Sequence, residues 1–105
     1  MSTPLSVNTG RDAHGQLVVS AIGEIDASNV TDFAEAVAAA SADCADALVV
    51  DLSAVDYLDS AAINALAPHA ESLEIIANPI LMRVLRVSGL SELAKVREAP
   101  PTDDR

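Results

Sequence analysis

Ser60 is the residue of this 105-residue chain whose type and setting best suit chemistry. It comes after an apolar run, Ala47 to Val50, and a loop, and an apolar stripe at helical spacing follows it. This order predicts that a buried strand delivers the serine hydroxyl to the start of a helix. The first N–H groups of a helix are unpaired and favour negative charge, so a phosphate fits there. The competing interpretation is that Ser60 only caps the helix.

Hydrolytic chemistry at Ser60 is poorly supported. Asp59 and a distant histidine are the partners that a catalytic triad would need, yet no Gly-x-Ser-x-Gly motif is present and no motif places His14 or His69 nearby. The chain also has no His-x-x-x-His or Cys-His spacing and no glycine-rich phosphate loop. We therefore expect no enzyme activity, no metal site and no cofactor.

Asp51, at the end of the same predicted strand, is an alternative phosphorylation site. An aspartate in that position resembles the phospho-acceptor of response-regulator receiver domains. Those domains need an acidic pair just after their first strand, whereas the first two strands here lead into Asn-Thr-Gly and Gly-Glu-Ile-Asp, in strand-strand-helix order. The simpler interpretation is that Asp51, Asp56 and Asp59 are solvated or cap turns, and Asp26 is likewise explained as a cap.

The acidic composition limits the partners. The chain has 16 Asp and Glu against 6 Lys and Arg, for a net charge of −10. Nucleic acids and anionic lipid surfaces both call for basic patches, so neither is an expected partner. Residues 1–5 lack a basic or apolar signal region, and no apolar run approaches the roughly 20 residues of a membrane span, so we expect a cytoplasmic protein.

Cys44 is the one cysteine, which excludes an internal disulfide and a Cys-based zinc cluster. We predict that it is a small buried side chain at a helix end. A redox role is the alternative, and it is disfavoured because no basic residue lies beside Cys44 to activate the thiol.

The hydrophobic pattern predicts one α/β domain over residues 1–98. Its predicted elements follow β-β-α-β-α-β-α order. The predicted strands are Leu5–Asn8, Gln16–Ile22, Ala47–Leu52 and Leu73–Ala77. The predicted helices are Val30–Ala42, a helix from Ser60 that Pro68 shortens or kinks, and a helix from Asn78 that Gly89 ends, with a short helix or strand in Ser91–Val96. Residues 53–59 are predicted to be a loop. Because Ala47–Leu52 is apolar on both faces, we expect a central strand covered on both sides. Residues 99–105 are predicted to be a disordered acidic tail.

Three segments together carry a family resemblance: Gly23-Glu24-Ile25-Asp26, the stretch Val49 to Ser60, and Asn78-Pro79 with Val84 to Leu90. They resemble the STAS domain family, and within it the bacterial anti-sigma factor antagonists. Each motif alone is weak, but the three in order cover about residues 5–97 and are specific together. The resemblance implies the STAS fold: a mixed, mostly parallel sheet of four to five strands with helices packed against it.

The resemblance also implies a function and its site residues. In that family, the serine in the position of Ser60 is phosphorylated by an anti-sigma factor that is also an ATP-dependent serine kinase. The unphosphorylated antagonist binds the anti-sigma factor and frees a sigma factor, phosphorylation breaks the complex, and a phosphatase restores it. The partner-binding residues carried over are Asp26, Asp59, Ser60, Ala61 and Ala62. The nucleotide belongs to the kinase, and we expect the antagonist itself to be a monomer.

The chain departs from the family pattern at two places. It has Asp59-Ser60-Ala61-Ala62-Ile63 where the family usually has Asp-Ser-Ser/Thr-Gly-Leu, and the span from Ser60 to Asn78 is shorter and contains Pro68. Two alternatives therefore stay open within the fold. One is a STAS adaptor subunit of a lipid-transport or stress-sensing complex that is not phosphorylated, and the other is a nucleotide-sensing STAS domain.

Overall fold

A five-stranded mixed sheet organises the protein, and the computed structural model describes residues 4–44 and 47–100. The strands are Ser6–Arg11 (β1), Leu17–Ile25 (β2), Leu48–Leu58 (β3), Leu73–Ala77 (β4) and Lys95–Glu98 (β5). They lie in the sheet in chain order. β1 and β2 are antiparallel, and all other neighbours are parallel. The mixed, mostly parallel sheet expected from the sequence is confirmed.

Short helices connect the parallel strands. They are Val30–Ala42 (α1), Ser60–Leu66 (α2), Met82–Val87 (α3) and Leu90–Leu93 (α4), with 3-10 helices at Ala67–Ser72 and Pro79–Leu81. α1 has the predicted bounds. Pro68 shortens the second helix as predicted, because α2 ends at Leu66 and the proline sits in the first turn of the 3-10 helix that follows. Gly89, at φ 84°, lies just beyond α3.

The loop predicted at residues 53–59 is wrong for most of its length, because β3 continues to Leu58. This distal half pairs with β2 through irregular register, with shifts between Ser20 and Ile22 and between Gly23 and Glu24. Each shift adds a residue to β3, so its buried side chains there fall three apart rather than two. Because of that spacing, this part of β3 lacks the strict alternation of apolar and polar residues that predicts a strand from sequence.

The helices cover only one face of the sheet, so the expectation of a central strand covered on both sides is wrong. The alternate residues of β2 from Leu17 to Ile25 pack with Phe33 and Val37 of α1 in one core. Val49 points the other way; it is buried, at 5% exposure, yet it lies outside that core. We call the uncovered side the open face. Its β2 residues, such as Ile22, alternate with the core residues.

The ordered chain continues past the boundary predicted at residue 98. Ala99 is buried, and its N–H donates to the Ala77 carbonyl at 2.8 Å. Residues 101–105, the rest of the predicted tail, lie outside the described residues. No helix within 4–44 and 47–100 has the length and apolar character needed to cross a membrane.

Candidate functional site

Ser60 is the first residue of α2 and follows β3 after one residue, Asp59. Its side chain is exposed. Within the described part of the chain, its hydroxyl has no hydrogen-bond partner, whereas Asp59 caps the helix. The interpretation of Ser60 as the N-cap is therefore wrong, and the serine hydroxyl is available for chemistry.

Asp59 accepts hydrogen bonds from three N–H groups at the start of α2. Its Oδ1 accepts from the Ala61 N–H at 2.9 Å. Its carbonyl accepts from the N–H groups of Ala62 at 3.1 Å and Ile63 at 3.2 Å. Three of the helix donors that the sequence led us to expect for a phosphate at Ser60, the N–H groups of Ala61, Ala62 and Ile63, are thus already engaged.

Asp26 lies beside Asp59 at the carboxyl edge of the sheet. Ile25 and Leu58 are register partners on β2 and β3, and each aspartate directly follows one of them. Neighbouring strands are about 4.8 Å apart, so the two loops are adjacent. The structure therefore brings Asp26, Asp59 and Ser60 to one edge, as the ends of parallel strands require.

A local hydrogen-bond network holds Asp26 in place. Its Oδ1 accepts from the Ser28 hydroxyl at 2.5 Å and from the Ser28 N–H at 2.9 Å. These bonds, the hydroxyl first, hold the pKa of the Asp26 carboxyl below its ordinary value of 3.8. The N-cap position of α1 belongs to Asn29, so Asp26 is not a helix cap.

Asn29 ties the same loop to β2. Its Oδ1 accepts from the Asp26 N–H at 2.9 Å, and its Nδ2 donates to the Glu24 carbonyl at 2.9 Å. Ser28 and Asn29 were not among the site residues predicted from the sequence, although both hold this loop. The Asp-x-Ser-Asn spacing after a strand was the available signal, since such side chains bond to nearby backbone groups in turns.

The two alanines after Ser60 have different environments. Ala61 is partly exposed and extends the surface around Ser60. Ala62 has 0% exposure and packs in the core. The side chain of Ala62, one of the five candidate partner-binding residues, therefore offers no surface to a partner.

The elements that place Asp26 and Ser60 carry no basic residue. No Lys or Arg occurs between Arg11 and Arg83 in the sequence, so β2, α1, β3 and α2 are all without a basic side chain. Asp26, Asp59 and the exposed Asp56 contribute carboxylates at the edge itself. A protein that docks here meets a negative potential, so complementarity requires Arg or Lys on its side.

The other candidate residues lie elsewhere. Asp51 is in the middle of β3, and its Oδ1 accepts from the Ser53 hydroxyl at 2.6 Å. His14 and His69 precede β2 and β4, which places them at the opposite edge of the sheet from Ser60. Within the described ranges, no cluster of three or more His, Cys, Asp or Glu is arranged to hold a metal. Cys44 follows α1 and is half-buried against the core.

Comparisons with known proteins agree with this geometry. The STAS domain family profile matches residues 7–99. The anti-sigma-F factor antagonist RsfB of Mycobacterium tuberculosis is 40% identical over 74 residues. That match covers 70% of this chain but only 61% of RsfB, so this chain spans less than two thirds of the curated relative.

Solved structures show the same fold. The crystal structure of an anti-sigma factor antagonist from Mycobacterium paratuberculosis has a TM-score of 0.79 and 31% identity, covering 99% of this chain and 94% of that one. The antagonist SpoIIAA in its unphosphorylated form has a TM-score of 0.67 and 14% identity, covering 90% and 89%. SpoIIAA of Bacillus is also known in a phosphorylated form, with a TM-score of 0.60, 14% identity and coverage of 90% and 92%.

The sheet order, the serine at the carboxyl edge of β3 and a profile match over nearly the whole chain lead to one conclusion. This protein belongs to the STAS domain family.

Proposed function

We propose that this protein is an anti-sigma factor antagonist and that phosphorylation of Ser60 ends its binding to the anti-sigma factor. Its similarity to two mycobacterial antagonists supports the first part. The observation that carries the second part is the exposed Ser60 hydroxyl, which makes no hydrogen bond to the described residues because Asp59 caps α2 in its place.

The partner supplies the chemistry of the switch. An anti-sigma factor with serine kinase activity holds ATP and transfers its γ-phosphoryl group to the Ser60 Oγ, while ADP leaves and the hydroxyl proton passes to a base of the kinase or to water. This chain contributes the hydroxyl and the surface that presents it, so it is the substrate and acts where the sigma factor acts, in the cytoplasm.

Electrostatics explains how the modification ends binding. A phosphoserine carries about −1.5 to −2 charges at neutral pH. At Ser60 this charge is added beside Asp59 and Asp26, and the N–H groups of the next three residues, Ala61 to Ile63, are already bonded to Asp59. The phosphate therefore projects toward the partner, where its volume and charge disrupt a fitted contact.

A direct test uses purified anti-sigma-F factor of Mycobacterium tuberculosis, the protein that RsfB is named for opposing, with ATP and Mg²⁺. We expect binding without ATP, and with ATP one added phosphate by intact mass together with release of the complex. Ser60→Ala should bind normally and stay unmodified. Ser72→Ala, which removes an exposed serine at the opposite edge of the sheet, is the matched control and should be modified like wild type.

The adaptor alternative is favoured by one observation, the engagement of the α2 N–H groups by Asp59. A STAS adaptor would bind its partner through the same edge without modification of Ser60. Binding with no phosphate in the same experiment would indicate an antagonist without the Ser60 switch. Absence of binding would contradict the antagonist proposal and leave the adaptor as the alternative.

A further inference from the structure

Two exposed large apolar side chains lie close together on the open face. Ile22 is 49% exposed and Tyr57 is 48% exposed. Ile22 is the register partner of Ala54, and Tyr57 is the register partner of Glu24. We call Ile22, Ala54 and Tyr57 the Tyr57 patch.

Register places the three residues on one surface. Ile22 lies between two buried residues of β2, so it points to the open face. Tyr57 precedes Leu58, which belongs to the core, and so points the same way. Two residues along β2 and one strand spacing separate Ile22 from Tyr57, a distance of about 8 Å.

The patch adjoins the phosphorylation site of the proposed function. Tyr57 is three residues before Ser60, which limits their Cα separation to about 11 Å. A standard protein interface covers about 800 Å² on each partner, equivalent to a disc of roughly 16 Å radius. An interface centred on Ser60 therefore includes Tyr57, and Ile22 extends it onto the open face.

The charges around the patch are all of one sign. Glu24 is opposite Tyr57 in the register, and Asp56 and Asp59 flank the tyrosine in the chain. On the open face the nearest Lys and Arg of the described chain are Lys95 and Arg97 on β5, which β4 separates from β3. The patch thus has an apolar centre and an acidic rim.

We propose that the Tyr57 patch is the apolar centre of the surface that binds the anti-sigma factor, whose matching surface is an apolar pocket lined by Arg or Lys. This inference rests on the proposed function. The Tyr57 patch provides the apolar contacts that stabilise the complex, whereas phosphorylation of Ser60 ends binding. Exposed aromatic side chains that become buried dominate interface energetics, and an acidic rim selects a basic partner and speeds its encounter.

Threonine variants test the patch without disturbing the strands. Tyr57→Thr and Ile22→Thr remove the large apolar groups and place at each position a β-branched residue suited to a strand. The matched control is Leu93→Gln, because Leu93 is 56% exposed and lines a groove with Ala42 and Ser72 at the opposite edge of the sheet. Circular dichroism and thermal unfolding establish that each variant is folded, and the probe is purified anti-sigma-F factor without ATP.

We expect Tyr57→Thr to weaken binding at least tenfold, Ile22→Thr to weaken it several-fold, and Leu93→Gln to bind within twofold of wild type. If wild type binds and both threonine variants bind equally well, the proposed role of the Tyr57 patch is wrong, while the antagonist proposal stands. No binding by the wild-type protein overturns both, so the two failures are distinguishable. If Tyr57→Thr is unfolded, Ile22→Thr alone decides the question by the same criterion.

Discussion

The Asp59 carboxylate accepts a hydrogen bond from the Ala61 N–H at 2.9 Å. The residue between them is Ser60, the candidate phosphorylation site. The aspartate thus performs the capping that the sequence alone would assign equally well to Ser60. Its charge also lies next to the position of any phosphate. Asp59 therefore stabilises the helix start and makes phosphorylation electrostatically costly.

Two substitutions separate these roles of Asp59. Asp59→Asn keeps a capping oxygen, so we expect a loss of only a few tenths of a kcal/mol in unfolding free energy, whereas Asp59→Ala should lose about 1 kcal/mol. Urea unfolding measures both. Equal losses for the two variants would contradict the capping role. At saturating kinase, Asp59→Asn should also raise the rate of Ser60 phosphorylation within the complex, because it removes the adjacent negative charge.

Asn78 joins the start of the helical segment after β4 to the distal half of β3. Its Nδ2 donates to the Val55 carbonyl at 3.0 Å, while its Oδ1 accepts from the Ile80 N–H at 3.2 Å. Asn78→Asp keeps the acceptor but places a carboxylate oxygen against the Val55 carbonyl. We expect a loss of about 1–3 kcal/mol in unfolding free energy, with the exposed Asn64→Asp near neutral. A loss below about 0.5 kcal/mol would refute this role.

Stability should fall in acid partly through Asp26. Its pKa is lowered in the folded protein by Ser28, so the unfolded chain binds the proton more tightly. The contribution is complete above the ordinary value of 3.8 and is lost as pH falls through the lower folded value. In Asp26→Asn, the unfolding temperature should therefore decrease less steeply as pH falls than it does in the wild-type protein. Glu35→Gln, at an exposed position of α1, should behave like wild type. An equally steep decrease of the unfolding temperature in Asp26→Asn and in wild type would exclude this contribution.

Ala62 stands where the STAS pattern usually has glycine, and its side chain is fully buried. Ala62→Gly should cost about 2 kcal/mol of unfolding free energy, from helix propensity and the lost methyl group. Because the methyl group does not face a partner, phosphorylation of Ser60 should keep its rate within about twofold. The exposed Ala38→Gly in α1 controls for helix propensity alone and should cost about 1 kcal/mol. A large rate increase in Ala62→Gly would mean that the methyl group obstructs the kinase.

The sequence by itself determined the order of the elements from β1 to α3, the bounds of α1 and β4, and the position of Ser60 at the start of α2. These features follow from local signals: apolar periodicity, the Asn-Pro helix start and the helix-ending effects of Pro68 and Gly89. The same local patterns carried the family resemblance, since its motifs are continuous stretches of chain.

Tertiary structure alone decided which residues share a surface. The register shifts between β2 and β3 extend the strand to Leu58 and turn Tyr57 to the open face. The pairing of Ile25 with Leu58 sets Asp26 beside Asp59. Capping by Asp59 rather than Ser60 depends on backbone torsion angles at the end of β3. The register shifts and the pairing of Ile25 with Leu58 are not encoded in a short window, because each depends on how one strand is placed against another.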